Sequence, residues 1–132
     1  MEMKIINPAE LAEPRGYNNG LLAERGTALL FVAGQIGWDQ KQRITSDDFA
    51  DQFAQALANV LAVVSNAGGD AESITRLLIF VTDKREYLAR IKDVGAAYRK
   101  LMGKHYPAMT LVEVKSLLED RAKVEIEATA VL

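Results

Sequence analysis

Two glutamates on one strand are the first chemistry this sequence offers. Lys123-Val124-Glu125-Ile126-Glu127-Ala128-Thr129-Ala130-Val131 reads as a β-strand, and a strand sends alternate side chains to opposite faces. Val124, Ile126 and Ala128 then share one face, and Glu125 and Glu127 the other. If that second face is wet, the two acids are ordinary surface charges. If it is covered, burial raises their pKa values and gives them acid–base capacity. Glu113, set between Val112 and Val114, is a third carboxylate, with a basic residue of a neighbouring chain as its expected partner. His105 is the only histidine. Its ordinary pKa suits proton transfer near neutrality, while its place beside Lys104 at a helix end suits capping. Arg76 interrupts an apolar run, and a buried arginine must be paired. It either bridges subunits or anchors an anion. Arg15, in a loop, is a second candidate anchor. Tyr17 follows it and either closes a pocket or packs at an interface. Gly34-Gln35-Ile36-Gly37 predicts a bulge or a close backbone approach, and Trp38 after it either walls an apolar pocket or packs in the core.

Composition removes several alternatives. The sequence has no cysteine, which excludes disulfides, thiolate catalysis and sulfur-ligated metal and fits a reducing, cytoplasmic setting. One histidine does not furnish a transition-metal site. No Ser-His-Asp order, phosphate-binding glycine loop or paired-histidine motif occurs. A net charge of -2 with interspersed signs leaves no basic stripe for nucleic acid. No stretch approaches the ~20 apolar residues of a membrane span, and the N-terminus lacks a signal-peptide core. The expectation is a soluble intracellular protein, one domain over residues 1–132.

The elements that must position these residues read in order as strands, helix, strand, helix, strands. Met3–Ile6 is a short edge strand. Leu21–Ala23 and Ala28–Ala33 are two strands joined by the turn Glu24-Arg25-Gly26-Thr27. Ser46 caps a helix running to about Asn66, with an apolar stripe of Phe49, Phe53, Leu57, Val60, Leu61 and Val64. Gly68-Gly69 ends it. Ile74–Val81 is a β-branched apolar run, as in a central strand covered on both faces. Asp83 and Glu86 form a capping box for a second helix striped by Tyr87, Leu88, Ile91, Val94 and Tyr98, which Gly103 stops. Two helices cover only one face of the sheet. A second copy is the simplest cover for the other, which predicts a homo-oligomer with small-molecule clefts between subunits.

At this point a family resemblance appears. Gly34-Gln35-Ile36-Gly37, Asn59-Val60, Phe80-Val81-Thr82-Asp83, Tyr106-Pro107-Ala108 with Val112-Glu113-Val114, and Val124-Glu125-Ile126-Glu127-Ala128 resemble the Rid family, also called YjgF/YER057c/UK114. The likeness runs from about Gly16 onward. It implies a chorismate-mutase-like α+β fold of the Bacillus type: a mixed sheet with two helices on one face. It also implies a homotrimer with three small-molecule sites at its interfaces. The best-known members are cofactor-free enamine/imine deaminases, which turn intermediates such as 2-aminoacrylate into a keto acid and ammonia. Some members carry a ribonuclease or translation-inhibitor label, which the acidic charge of this chain opposes.

The resemblance carries over residue by residue. Tyr17 falls on the family's site tyrosine, Gly34 on a backbone contact, and Glu125 on the glutamate that positions water. Met109 stands where those deaminases have an arginine that holds the substrate carboxylate bidentately. Ala33 replaces a small polar residue, and Gly95 falls near a helix asparagine. The candidate substrate contacts are therefore Tyr17, Ala33, Gly34, Trp38, Arg76, Met109 and Leu111, with Glu125 catalytic. Methionine cannot bind a carboxylate. Either the substrate lacks a carboxylate near the imine, or another cation anchors it from a different direction. The alternative function is a non-catalytic module that binds a small metabolite.

Overall fold

The computed structural model describes all 132 residues. It is an α+β fold with two sheets. Strands β1 (Glu2–Ile6) and β2 (Gly20–Glu24) pair antiparallel as a separate two-stranded ribbon. Strands β3 (Leu29–Ile36), β4 (Ile74–Val81), β5 (Ala108–Glu113) and β6 (Val124–Val131) form a mixed sheet in the order β3-β6-β4-β5. The expected β2–β3 hairpin is absent. Arg25 takes the left-handed conformation (φ 61°) at the end of β2, and β3 pairs with β6 instead. The ribbon is fastened at both ends. The Asn18 amide donates to the Pro107 carbonyl, and Thr27 donates to the Leu132 carbonyl.

Helix α1 (Phe49–Asn66) packs on β3 and β6 through Phe49, Phe53, Leu57, Val60 and Val64, the expected stripe. Its N-cap is Asp48 rather than Ser46. The Asp48 side chain accepts from the Asp51 amide, and the Ser46 hydroxyl accepts from the Asp48 amide. The expected second helix is two helices, α2 (Lys84–Ala89) and α3 (Ile91–Met102), broken at Arg90. The break lets the Arg90 guanidinium turn back and grip both oxygens of Asp48, with Asp93 beside it. Asp83 caps α2 by accepting from the Arg85 amide, but Glu86 pairs with Lys123 instead of completing a box. The α2–α3 segment is the crossover that parallel neighbours β4 and β5 require.

All three helices lie on one side of the sheet. Val124, Ile126, Ala128 and Ala130 of β6 are buried beneath α1, and Leu77, Ile79 and Val81 of β4 join them. The other face is bare in the single chain. Phe31 is 73% exposed, and Leu29, Val112 and Glu127 are exposed beside it. β4 is thus interior in the sheet but covered on one face only.

A polar knot locks the end of β3 to α1. Gly37 lies so close to α1 that a Cβ would sit 2.8 Å from Gln52 Cα. Gln52 itself is buried and fully bonded. Its amide donates to the Ser46 and Arg121 carbonyls, and its oxygen accepts from the Lys123 amide. Asn59 donates to the Ile36 and Trp38 carbonyls.

Two outcomes follow from these contacts. Gly37→Ala forces backbone against backbone and is expected to cost about 1–3 kcal/mol, measured as a lower denaturation midpoint in urea. Arg90 holds the Asp48 carboxyl below its usual range, and the Asp51 amide adds to the effect. A lowered folded pKa contributes stability above the unfolded value, and that contribution is lost as pH falls through the folded one. Asp48→Asn should therefore melt below wild type from about pH 5 upward, and the gap should close below about pH 4.

Candidate functional site

The largest cavity, of about 540 Å³, opens between α2, α3 and the β4–β5 edge. Met109 and Leu111 of β5 form its floor, since both point to the helix side in register with Leu77 and Ile79. The alternation of the strand sets this, with Thr110 and Val112 turned the other way. Tyr17 closes the mouth from the loop that Asn18 ties to β5. Asn18 donates its side-chain amide to the Tyr106 carbonyl, so the tyrosine loop is fixed to the strand it covers. Phe53, Tyr87, Tyr98 and Tyr106 add an aromatic wall, Val94 packs beside them, and Gly95, Arg99 and Arg15 line the rim.

Tyr98 and Tyr106 stack with ring centroids 5.2 Å apart. Burial pushes the Tyr98 phenol up, and Tyr106 adds to the shift. The Tyr98 hydroxyl therefore stays protonated and donates to the His105 carbonyl at 2.6 Å. The His105 ring lies 2.7 Å from the Ile74 carbonyl through Nε2, away from the cavity lining. Its position makes it a tie between the α3–β5 loop and β4.

Glu125, Gly34 and Ala33 lie away from this cavity, across the sheet. Glu125 is half-buried and its side chain lies across Gly34, where a Cβ would fall 2.3 Å from Oε1. Gly34 and Ala33 occupy a bulge between the Val32–Ala128 and Gln35–Ile126 pairings. Of the glycine readings, the bulge holds at Gly34, while Gly37 makes its close approach to α1 of the same chain. Within one chain, therefore, Tyr17, Met109 and Leu111 come together, Glu125, Gly34 and Ala33 come together, and the sheet separates the two sets.

Three predicted residues belong to neither set. Arg76 is exposed rather than buried and paired. It lies on the bare face beside Glu127 and Thr129, and so points away from Met109. Trp38 packs against Ile36, Ile44 and Ala122 in a second small core. Glu113 accepts from the Lys84 amide and caps α2 within the same chain. Sequence reasoning missed Arg99 and the Tyr98–Tyr106 stack. The spacing of Gly95 and Arg99, four residues apart on a helix, places them side by side and was the available signal.

On a small α+β fold the chain thus carries an aromatic, cation-rimmed pocket on one face of the sheet and a carboxylate over a glycine bulge on the other. The sequence and the fold are similar to those of known proteins. The profile of the family described as Endoribonuclease L-PSP matches residues 9–132. A 2-iminobutanoate/2-iminopropanoate deaminase of Salmonella typhimurium is 35% identical over 107 residues, 79% of this chain and 80% of that protein. A RutC family protein of Synechocystis is 36% identical across 100% of this chain and 98% of its own length. Among solved structures, a Rid-family protein of unknown function from Yersinia pestis superposes with a TM-score of 0.87 at 26% identity over 100% of both chains. Escherichia coli TdcF with bound serine gives 0.68 at 31% identity, covering 98% of each chain. The chain belongs to the Rid (YjgF/YER057c/UK114) family. No helix is long and apolar enough to cross a membrane.

Tyr98→Phe removes the donor to the His105 carbonyl and is expected to cost about 1 kcal/mol. The measurement is the chemical denaturation midpoint at neutral pH, with the Tyr106→Phe variant as the control that keeps the hydrogen bond.

Proposed function

We propose that the protein is an imine or enamine deaminase that works as a homotrimer, with each site shared between two copies. The observation that carries this reading is the division of the site by the sheet. Tyr17, Met109 and Leu111 open at the β5 edge, while Glu125 and Gly34 lie on the uncovered apolar face. A neighbouring copy that lays its bare face over this edge joins the two halves. It also removes Phe31 and Leu29 from water.

In that cleft Glu125 takes a proton from water as the oxygen adds to the imine carbon, and hands that proton to the imine nitrogen. The carbinolamine then returns the hydroxyl proton through Glu125 to nitrogen. The C–N bond breaks, and a carbonyl compound and ammonia leave. The Gly34 backbone and the Tyr17 ring shape the cleft. Support comes from the deaminase names of relatives at about 35% identity. Met109 is apolar where the resemblance implies an arginine, so the reading includes a specificity different from that of 2-aminoacrylate deaminases. A second reading, ligand binding without turnover, is favoured by the same methionine, which leaves pocket volume without the usual anchor.

The test is ammonia release from freshly generated imines, with and without a carboxylate. Glu125→Gln is expected to lower kcat by about 100-fold or more, and Tyr17→Ala to raise KM. Co-expressed Glu125→Gln and Tyr17→Ala chains should recover part of the activity, because some mixed sites hold both native residues. No turnover of any imine, with ligand binding retained, would leave the binding module as the function. Activity in a monomeric protein would remove the shared site.

A further inference from the structure

The pocket rim carries two guanidinium groups that no carboxylate in the chain neutralises. The paired arginines are Arg25, Arg43, Arg90 and Arg121. Arg15 and Arg99 are not among them, and both line the cavity. Arg15 comes from the loop before Tyr17. Arg99 comes from α3, one turn after Gly95. A Cβ on Gly95 would lie 3.2 Å from the Arg99 Nη1. The guanidinium therefore rests against the bare backbone at position 95, where a side chain larger than alanine would press on it. Below it lie Phe53, Tyr98, Tyr106 and Met109, with no other charged group.

We propose that Arg99, seated in the space left by Gly95 and assisted by Arg15, is the anion anchor of this pocket. The ligand it selects is a carboxylate with a bulky apolar or aromatic body, such as the imine of an aromatic 2-oxo acid. The inference rests on reading the cavity as the substrate half of a deaminase site. A guanidinium binds a carboxylate through two parallel hydrogen bonds, and the apolar walls weaken competition from water. The anchor enters from the helix side rather than from β5, which frees Met109 to contact the ligand body. The volume argues for size. About 540 Å³ falls in the range of pockets that enclose ligands much larger than a three- or four-carbon imino acid.

Of the two alternatives posed by Met109, this proposal takes the replacement cation. Arg99 also stands in the last turn of α3, where a positive charge suits the helix dipole. A purely structural role of that kind would alter the thermal midpoint and leave ligand selectivity untouched.

The experiment is calorimetric titration of the full-length protein with phenylpyruvate, pyruvate and the uncharged phenylacetone. Wild type is expected to bind phenylpyruvate more tightly than either of the others. Arg99→Gln should weaken phenylpyruvate by about 10- to 100-fold, the value of one charge-assisted pair, and leave phenylacetone unchanged. Arg99→Lys should restore part of the loss. Gly95→Leu, a helix-favouring change, should displace the guanidinium and reproduce the loss even if Arg99→Gln folds poorly. Equal phenylpyruvate affinity in wild type, Arg99→Gln and Gly95→Leu would overturn the anchor. Pyruvate binding as tightly as phenylpyruvate would overturn the size class. Because binding is read without turnover, the two readings fail separately. An anchor effect with no ammonia from any imine removes the deaminase and keeps the anchor. Glu125-dependent turnover with an indifferent Arg99 does the reverse.

Discussion

A pleated sheet has two faces, and this chain carries helices for only one. That constraint organises the rest of the molecule. α1 and α3 bury the side of the sheet that presents Val124, Ile126, Leu77 and Ile79, where the hydrophobic effect supplies most of the driving force. The opposite side keeps Phe31, Leu29 and Val112 in water next to Glu125 and Glu127. Exposed apolar side chains clustered around carboxylates suit a surface made to be covered. The same strand alternation that builds the core thus sends Met109 and Glu125 to different sides of a layer one sheet thick.

The helix side has its own logic. A continuous helix from Lys84 to Met102 would carry Arg90 past Asp48. The break at Arg90 lets α2 and α3 each lie on the sheet while one guanidinium joins both to the N-terminus of α1. The cavity forms where α2 and α3 diverge above β5, and aromatic rings share its lining with Ile79, Ile91, Val94, Met109 and Leu111. Rings leave gaps that branched aliphatic side chains would close, and their faces suit apolar ligands and guanidinium groups.

Polar groups inside the molecule act as fasteners rather than as reagents. Gln52 joins α1 to two loops through three hydrogen bonds, Asn59 closes the end of β3, and Asn18 holds the Tyr17 loop against β5. No buried side-chain polar atom lacks a partner, which accords with the high cost of leaving one unpaired. His105, the residue with the most obvious chemical promise in the sequence, is one of these fasteners. Among the charged groups left without an ion pair are Glu125, Glu127 and Arg76 on the bare face and Arg15 and Arg99 at the pocket rim.

Local pattern determined the strands β3, β4, β5 and β6, most of α1, and the face that Glu125 shares with Glu127, because periods of 2 and 3.6 residues are written directly into the order of apolar side chains. The glycine segment likewise declared its bulge, since a missing Cβ restricts what surrounds it. Tertiary structure decided what depends on residues far apart in the chain. Asp48 prevails over Ser46 as the cap because Arg90, 42 residues away, grips it. β2 leaves β3 for β1, Trp38 packs on a small second core away from Met109, and Arg76 faces water because the helices occupy the other side. Distance in sequence carries no record of which partner wins such a competition, and only the packed chain sets Arg99 beside Tyr17 and Met109.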